Sequence, residues 1–209
     1  MPYPNDATLI DALRGGDEDA FSTLISTYHA PLVRTAALYV NSPTVAEEVV
    51  QDTWIAVLKG LERFEGRSLL KTWLFSIAIN RAKTTAQREG RYDVLAEPED
   101  TDEIPAVASD RFRPTGQVLQ GHWVSQPQDW DAIPEERLLS LEIHAVIHET
   151  IERLPFHQRA VILLRDIEGI SAEEVRDLLD VTDGNQRVLL HRARARVRQA
   201  LETYFEEAH

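Results

Sequence analysis

SAEEVRDLLDVTDGNQRVLLHRARARVR, residues Ser171 to Arg198, is the stretch from which the fold is read. It spells two short helices joined by a tight turn. Ser171 is placed to cap the first helix, Glu174 three residues on can reach back to the cap, and Ile170 can staple onto Val175. Val175, Leu178 and Leu179 give that helix one apolar face. Val181-Thr182-Asp183 breaks the pattern, and Thr182 or Asp183 caps the next helix. There Leu190, Ala193, Val197 and Leu201 form the inward stripe, leaving Asn185, Arg187, Val188, His191 and Arg192 to face away from the core. This is the layout of a helix-turn-helix. Its second helix carries five arginines and no acid between Gly184 and Ala200. Such a helix suits DNA, because asparagine and arginine pair with base edges and arginines neutralise phosphates. An arginine-rich hairpin can also be plain solvated surface, so the rest of the chain must decide.

Working outward, the 209 residues carry a net charge of −13, which is adverse for a DNA-binding protein until the charge is mapped. Arg67 to Arg91 holds six Lys/Arg against one acid, whereas Tyr92 to Glu142 holds twelve acids against three arginines. Acid thus lies between two basic patches, and the free chain is expected to bind DNA poorly without a partner that delivers it. The absence of cysteine excludes disulfides and thiolate metal sites. No apolar run approaches the roughly 18 residues of a membrane span, and the first residues lack signal-peptide character, which predicts a cytoplasmic protein with no membrane association.

The N-terminal part is helical in pattern throughout. A short helix over Thr8 to Arg14 precedes Gly15-Gly16, and a longer one starts near Asp17, with Pro31 marking a kink or restart. Ser42-Pro43-Thr44 opens a third helix, with a capping box predicted between Thr44 and Glu47. Ala46, Val50, Trp54, Val57 and Leu61 line its buried face, and Glu48, Gln51, Asp52, Ile55 and Lys59 its outer face. After a turn at Phe64–Ser68, a helix from Leu69 to about Arg91 turns Leu70, Trp73, Leu74, Ile77 and Ala78 inward. Its other surface shows Lys71, Asn80, Arg81, Lys83, Arg88 and Arg91.

Residues 96–134 have no sustained period and many prolines and acids, which reads as a linker. Its Trp123 and Trp130 are too costly to leave in water and are expected to pack on a domain or a partner. Helices then resume at Glu135–Leu154 and Phe156–Ile167. The predicted fold is all-α: two small helical domains (1–95 and 135–209) joined by the acidic linker, the second ending in the helix-turn-helix.

Catalytic signatures are missing: there is no Walker loop, dinucleotide glycine motif or serine elbow. His144 and His148 have the spacing of zinc ligands, but no adjacent glutamate or third ligand completes a site, so neither metal nor cofactor is expected.

Two blocks, AEEVVQDTWIAVLKGLERFEGRSLLKTWLFSIAINRAK (Ala46–Lys83) and LPFHQRAVILLRDIEGISAEEV followed by NQRVLLHRARARVR (Leu154–Arg198), resemble the extracytoplasmic-function group of bacterial RNA polymerase sigma factors. The resemblance covers roughly three-quarters of the chain. It implies a non-enzymatic factor that binds core RNA polymerase and promoter DNA, and in some cases an anti-sigma factor. It further implies that Glu48, Gln51, Asp52 and Ile55 dock on the polymerase. Arg67, Ser68, Asn80, Lys83 and Arg88, in the Phe64–Ser68 loop and the following helix, would open and read the minus-ten element. Asn185, Arg187, Val188, His191 and Arg192 would read the minus-thirty-five element. Three positions depart from the family pattern: Arg176 where a small residue is usual, Asp180 where glycine is usual, and Gln186 where an apolar residue is usual. The competing class is a free-standing dimeric helix-turn-helix regulator, which would bind its operator unaided.

Overall fold

A computed structural model describes residue 3 and residues 5–90 and 141–207. The described residues form helices and turns without strands, as the all-α reading requires. The linker 96–134, its Trp123 and Trp130, Arg91, and the start of the Glu135–Leu154 helix lie outside the described residues.

The chain divides into two compact units that do not follow the order of the sequence. Met1–Pro98 is joined by Leu163–Asp183 in one, and Glu99–Ile162 by Gly184–His209 in the other.

In the first unit, α1 (Asp6–Arg14) starts two residues earlier than Thr8, because the Asn5 side chain accepts from the Thr8 N–H and caps it. α2 (Glu18–Ala36) is capped by Asp17, whose Oδ1 accepts from the N–H groups of Asp19 and Ala20. It runs without restart through Pro31. Proline costs an interior helix about 3 kcal/mol, and burial of Leu24, Leu32, Thr35 and Ala36 along the same helix offsets it. α3 (Pro43–Gly60) takes Ser42 as its N-cap and Pro43 as its first residue, with no side-chain cap. The predicted Thr44–Glu47 capping box therefore does not form. Glu47 instead meets His29 Nε2 at 3.0 Å, while Trp54 Nε1 donates to His29 Nδ1 at 3.3 Å.

A 3-10 turn (Leu61–Arg63) and the Phe64–Ser68 loop lead into α4 (Leu70–Arg88). Leu70, Leu74 and Ala78 are buried as expected and Trp73 and Ile77 half-buried, but Phe75 and Ile79 are also in the core. α4 packs against α2 and α3 at once, so its buried face is wider than a single stripe. Alanines 20, 36, 46, 78, 82 and 86 are fully buried and let these helices approach closely. Gly60 serves the same end, since a Cβ there would lie 3.1 Å from the Trp73 ring.

The second unit contains α5 (Leu141–Glu152), α6 (Phe156–Ile162) and most of α8 (Asp183–Glu207). Ile143, Leu201 and Phe205 form one buried cluster with Val146, Ile147 and Tyr204 against it. Leu154, Ile162 and Ala193 form another with Ile151 and Leu190, and Val197 touches both. The helix predicted to run from Phe156 to Ile167 instead widens to π-helical geometry over Leu163–Ile167. There Glu168 N–H donates to the Leu163 carbonyl at 2.8 Å, five residues back. α7 (Ala172–Leu179) then begins with the predicted capping box, both halves of which are present. Asp180 ends it in the left-handed region at φ 56°, the conformation for which glycine is usual and which Asp tolerates.

Candidate nucleic-acid interface

After α7 come the three turn residues Asp180 to Thr182 and then α8. Gln186, Leu189, Ala193, Leu201 and Phe205 are buried at helical spacings along α8, with Leu190 and Val197 half-buried beside them. Leu189 and Gln186 were not in the expected stripe. Their burial turns the opposite side outward: Asn185, Arg187, Val188 and His191 are exposed and Arg192 is half-buried. The five residues expected to read DNA thus lie off the buried face, and four of them are open to solvent. Val188, 46% exposed, is an apolar group on that polar surface, suited to a thymine methyl. Arg194 and Arg198, further along, are exposed as well.

On α3, Glu48, Gln51, Asp52, Ile55 and Lys59 are all exposed, as expected. The structure adds Leu58, 53% exposed and one turn beyond Ile55 at 49%, so two neighbouring apolar side chains stand among the polar ones. It also adds a partner: Arg81 of α4 lies 3.6 Å from Asp52.

The other residues expected to meet DNA are less uniform. Arg67 is exposed and pairs with Glu65 at 2.6 Å, and Ser68 is exposed beside it. With Arg63, Phe64, Glu65 and Trp73 they line an open cleft of 310 Å³. Phe64 is buried against Trp73, ring centroids 4.7 Å apart. Asn80 and Arg88 are exposed on α4. Lys83 is not presented with them. It is half-buried, its Nζ donates to the Leu178 carbonyl at 3.3 Å, and burial lowers its pKa while the Asp180 charge pulls the other way.

That contact belongs to a set that ties residues 163–183 to α2 and α4 within the first unit. The Glu168 side chain, 5% exposed, accepts from Arg34 at 2.8 Å and lies 3.5 Å from Lys71, whose Nζ also donates to the Glu168 carbonyl. Thr72 Oγ1 donates to Glu174 Oε1 at 2.6 Å. Burial pushes the Glu174 pKa up, but the bonds from Thr72 and Ser171 outweigh it and hold the carboxyl below its ordinary value. Sequence reasoning missed Glu168, since nothing local marks this one acid, in the bend after the π-helical turn, as buried. Among the described residues no group of three or more His, Asp or Glu is placed to hold a metal ion; His148 pairs with Glu152 at 3.6 Å.

Residues 24–92 match the Sigma-70 region 2 family and residues 144–197 the Sigma-70, region 4 family. The RNA polymerase sigma-H factor of Pseudomonas aeruginosa is 30% identical over 209 residues, covering all of both chains. The chain belongs to the extracytoplasmic-function sigma factors of the sigma-70 family. The ECF RNA polymerase sigma-E factor of Escherichia coli K12 is 32% identical over 90% of each chain. As a sigma factor, the protein binds core RNA polymerase, recognises promoter DNA and starts transcription. Two solved structures share the sigma-factor fold. One is CnrH in complex with the cytosolic domain of CnrY (TM-score 0.54, 21% identity, 95% of this chain and 97% of that one). The other is the sigma factor RpoE of Bartonella quintana in complex with the anti-sigma factor NepR (TM-score 0.51, 21% identity, 87% and 96%). No helix among the described residues of this sigma factor is long and apolar enough to cross a membrane.

Proposed function

We propose that this sigma factor divides its work between a polymerase- and minus-ten-binding module in residues 1–95 and a minus-thirty-five-binding module in residues 135–209, with the acidic segment between them as connector. Glu48, Gln51, Asp52 and Ile55 dock on core polymerase. Arg67, Ser68, Asn80 and Arg88 contact the minus-ten region, and Lys83 joins them once its bond to the Leu178 carbonyl opens. Asn185, Arg187, Val188, His191 and Arg192 read the minus-thirty-five element. The observation that carries this reading is the outer face of α8, where exposed asparagine, arginine, valine and histidine sit over a buried stripe on a helix without a counter-charge in its middle turns. A free-standing dimeric regulator would have to overcome a net charge of −13 on its own, which the polymerase spares a sigma factor. By analogy with the RpoE–NepR complex of similar fold, an anti-sigma factor is a further partner in this reading.

The test separates contacts that specify from contacts that hold. A bidentate arginine–guanine contact gives about 1–3 kcal/mol of discrimination, so Arg187→Ala should lower preference by roughly 5- to 150-fold at one or two positions of the upstream element. Arg198→Ala should weaken binding evenly across sequences, since its position far along α8 suits a phosphate contact. Reconstituted holoenzyme is challenged with competing upstream-element variants at fixed salt. Equal loss on every variant with Arg187→Ala would mean that α8 holds DNA without reading it.

A further inference from the structure

The Phe64–Ser68 loop has little of its own to hold it in place. Glu65, Gly66, Arg67, Ser68 and Leu69 are all exposed, Gly66 takes a left-handed φ of 71°, and inside the loop only Phe64 is buried. Both ends of the loop are instead bound by α1. At the leading end, Arg14 Nε donates to the Leu61 carbonyl at 3.3 Å and Nη2 to the Phe64 carbonyl at 2.5 Å. Leu61 opens the 3-10 turn, and its carbonyl also accepts from the Phe64 N–H at 3.2 Å; the Phe64 carbonyl stands at the turn's C-cap, where no helix continues to satisfy it. At the trailing end, the Asp6 carboxylate accepts from the Leu70 N–H at 3.2 Å. Leu70 is the first residue of α4, whose own N-cap, Leu69, offers no side-chain acceptor. One helix therefore uses its first residue to cap α4 and its last to close the turn before the loop, 50 residues away in sequence. The separation of Asp6 and Arg14 along α1 is rigid, because Leu9 and Leu13 between them are buried.

We propose that α1, through Arg14 and Asp6, is the positioning element of the Phe64–Ser68 loop and so a determinant of which minus-ten sequences this sigma factor accepts. The inference rests on the reading that this loop touches promoter DNA. α1 lies outside the segment that matches region 2, residues 24–92, so the loop is held by a part of the chain that the family pattern does not cover. Hydrogen bonds to base edges weaken steeply with small errors of distance and angle. A loop free to wander therefore loses discrimination between bases before it loses affinity for the backbone. Arginine is the residue for this task, since its planar fork meets two carbonyls at once, whereas a lysine ammonium on a flexible stem would satisfy one without fixing its direction.

The experiment uses the full chain, alone and in holoenzyme. In the free protein, amide hydrogen exchange of residues 62–69 should quicken roughly tenfold in Arg14→Ala, with protection inside α2 and α3 unchanged. In holoenzyme, transcription from competing minus-ten variants should show their spread narrowed severalfold in Arg14→Ala, not restored by Arg14→Lys. Asp6→Ala should act in the same direction through the other end of the loop, and it decides the matter if Arg14→Ala does not fold. Unchanged exchange, or activity that falls equally on every variant, overturns the proposal. Arg67→Ala is the control for the underlying reading. If it alters minus-ten preference while Arg14→Ala and Asp6→Ala do not, α1 has no positioning role and the loop reading stands. If Arg67→Ala leaves preference untouched, the loop reading falls and the proposal falls with it.

Discussion

Glu168 allows a sharp test of what holds residues 163–183 to α2 and α4. Its side chain is 5% exposed, while its partners Arg34 and Lys71 are 45% and 30% exposed. The two sides of this cluster are therefore unequal. Glu168→Gln removes the charge from the buried side and leaves two cations that already reach water, so the loss is that of charge-assisted bonds discounted for solvent, about 1–2 kcal/mol. Arg34→Met with Lys71→Met leaves a carboxylate buried without compensation, which costs about 3–5 kcal/mol. Adding Glu168→Gln to that pair should then restore about 2 kcal/mol, because the stranded charge is gone. Urea unfolding followed by Trp54 and Trp73, both in the first unit, measures this in a background with Trp123→Phe and Trp130→Phe. The reasoning is refuted if Glu168→Gln alone is as damaging as the double cation variant, or if adding it to that variant restores nothing. Either result would mean that burial of the carboxylate does not dominate the cluster.

Two further outcomes are expected. Asp52→Lys with Ile55→Glu should leave helical circular dichroism unchanged, since the Asp52–Arg81 pair is an exposed contact of under about 1 kcal/mol, yet weaken binding to core polymerase in titration; undiminished affinity would remove α3 from the docking surface. Glu174 has a pKa held below its ordinary value, so its contribution to stability is complete above the unfolded carboxyl range near pH ~4.3 and is lost as pH falls through the depressed folded value. Comparing thermal unfolding of wild type and Glu174→Gln from pH 7 down to pH 3 should therefore show the difference between them shrinking with acidity, and a constant difference would show that the carboxylate charge is not what Thr72 and Ser171 stabilise.

Much of this molecule was written locally. The capping box of Ser171 and Glu174, the proline that opens α3 and the apolar spacing of α3 and α7 each depend on residues within one or two turns of one another, and short-range sterics and hydrogen bonding suffice to read them. The exposed face of α8 followed from the same periodicity. What the sequence could not decide were choices among equivalent residues made by distant parts of the chain. Of the many acids among the described residues, Glu168 is the one buried, because Arg34, 134 residues earlier, and Lys71 meet it there. Glu47, placed to cap its own helix, turns to His29 instead. Lys83 looks like its neighbours in the basic patch, yet the Leu178 carbonyl takes it. Arg14 ends a short helix as arginines often do, where the helix dipole favours them, and only the fold reveals that it also closes the turn before the loop. Periodicity records which face of a helix is buried. Which charge is stranded on that face, and which carbonyl lacks a donor, is settled only when helices far apart in sequence are brought together.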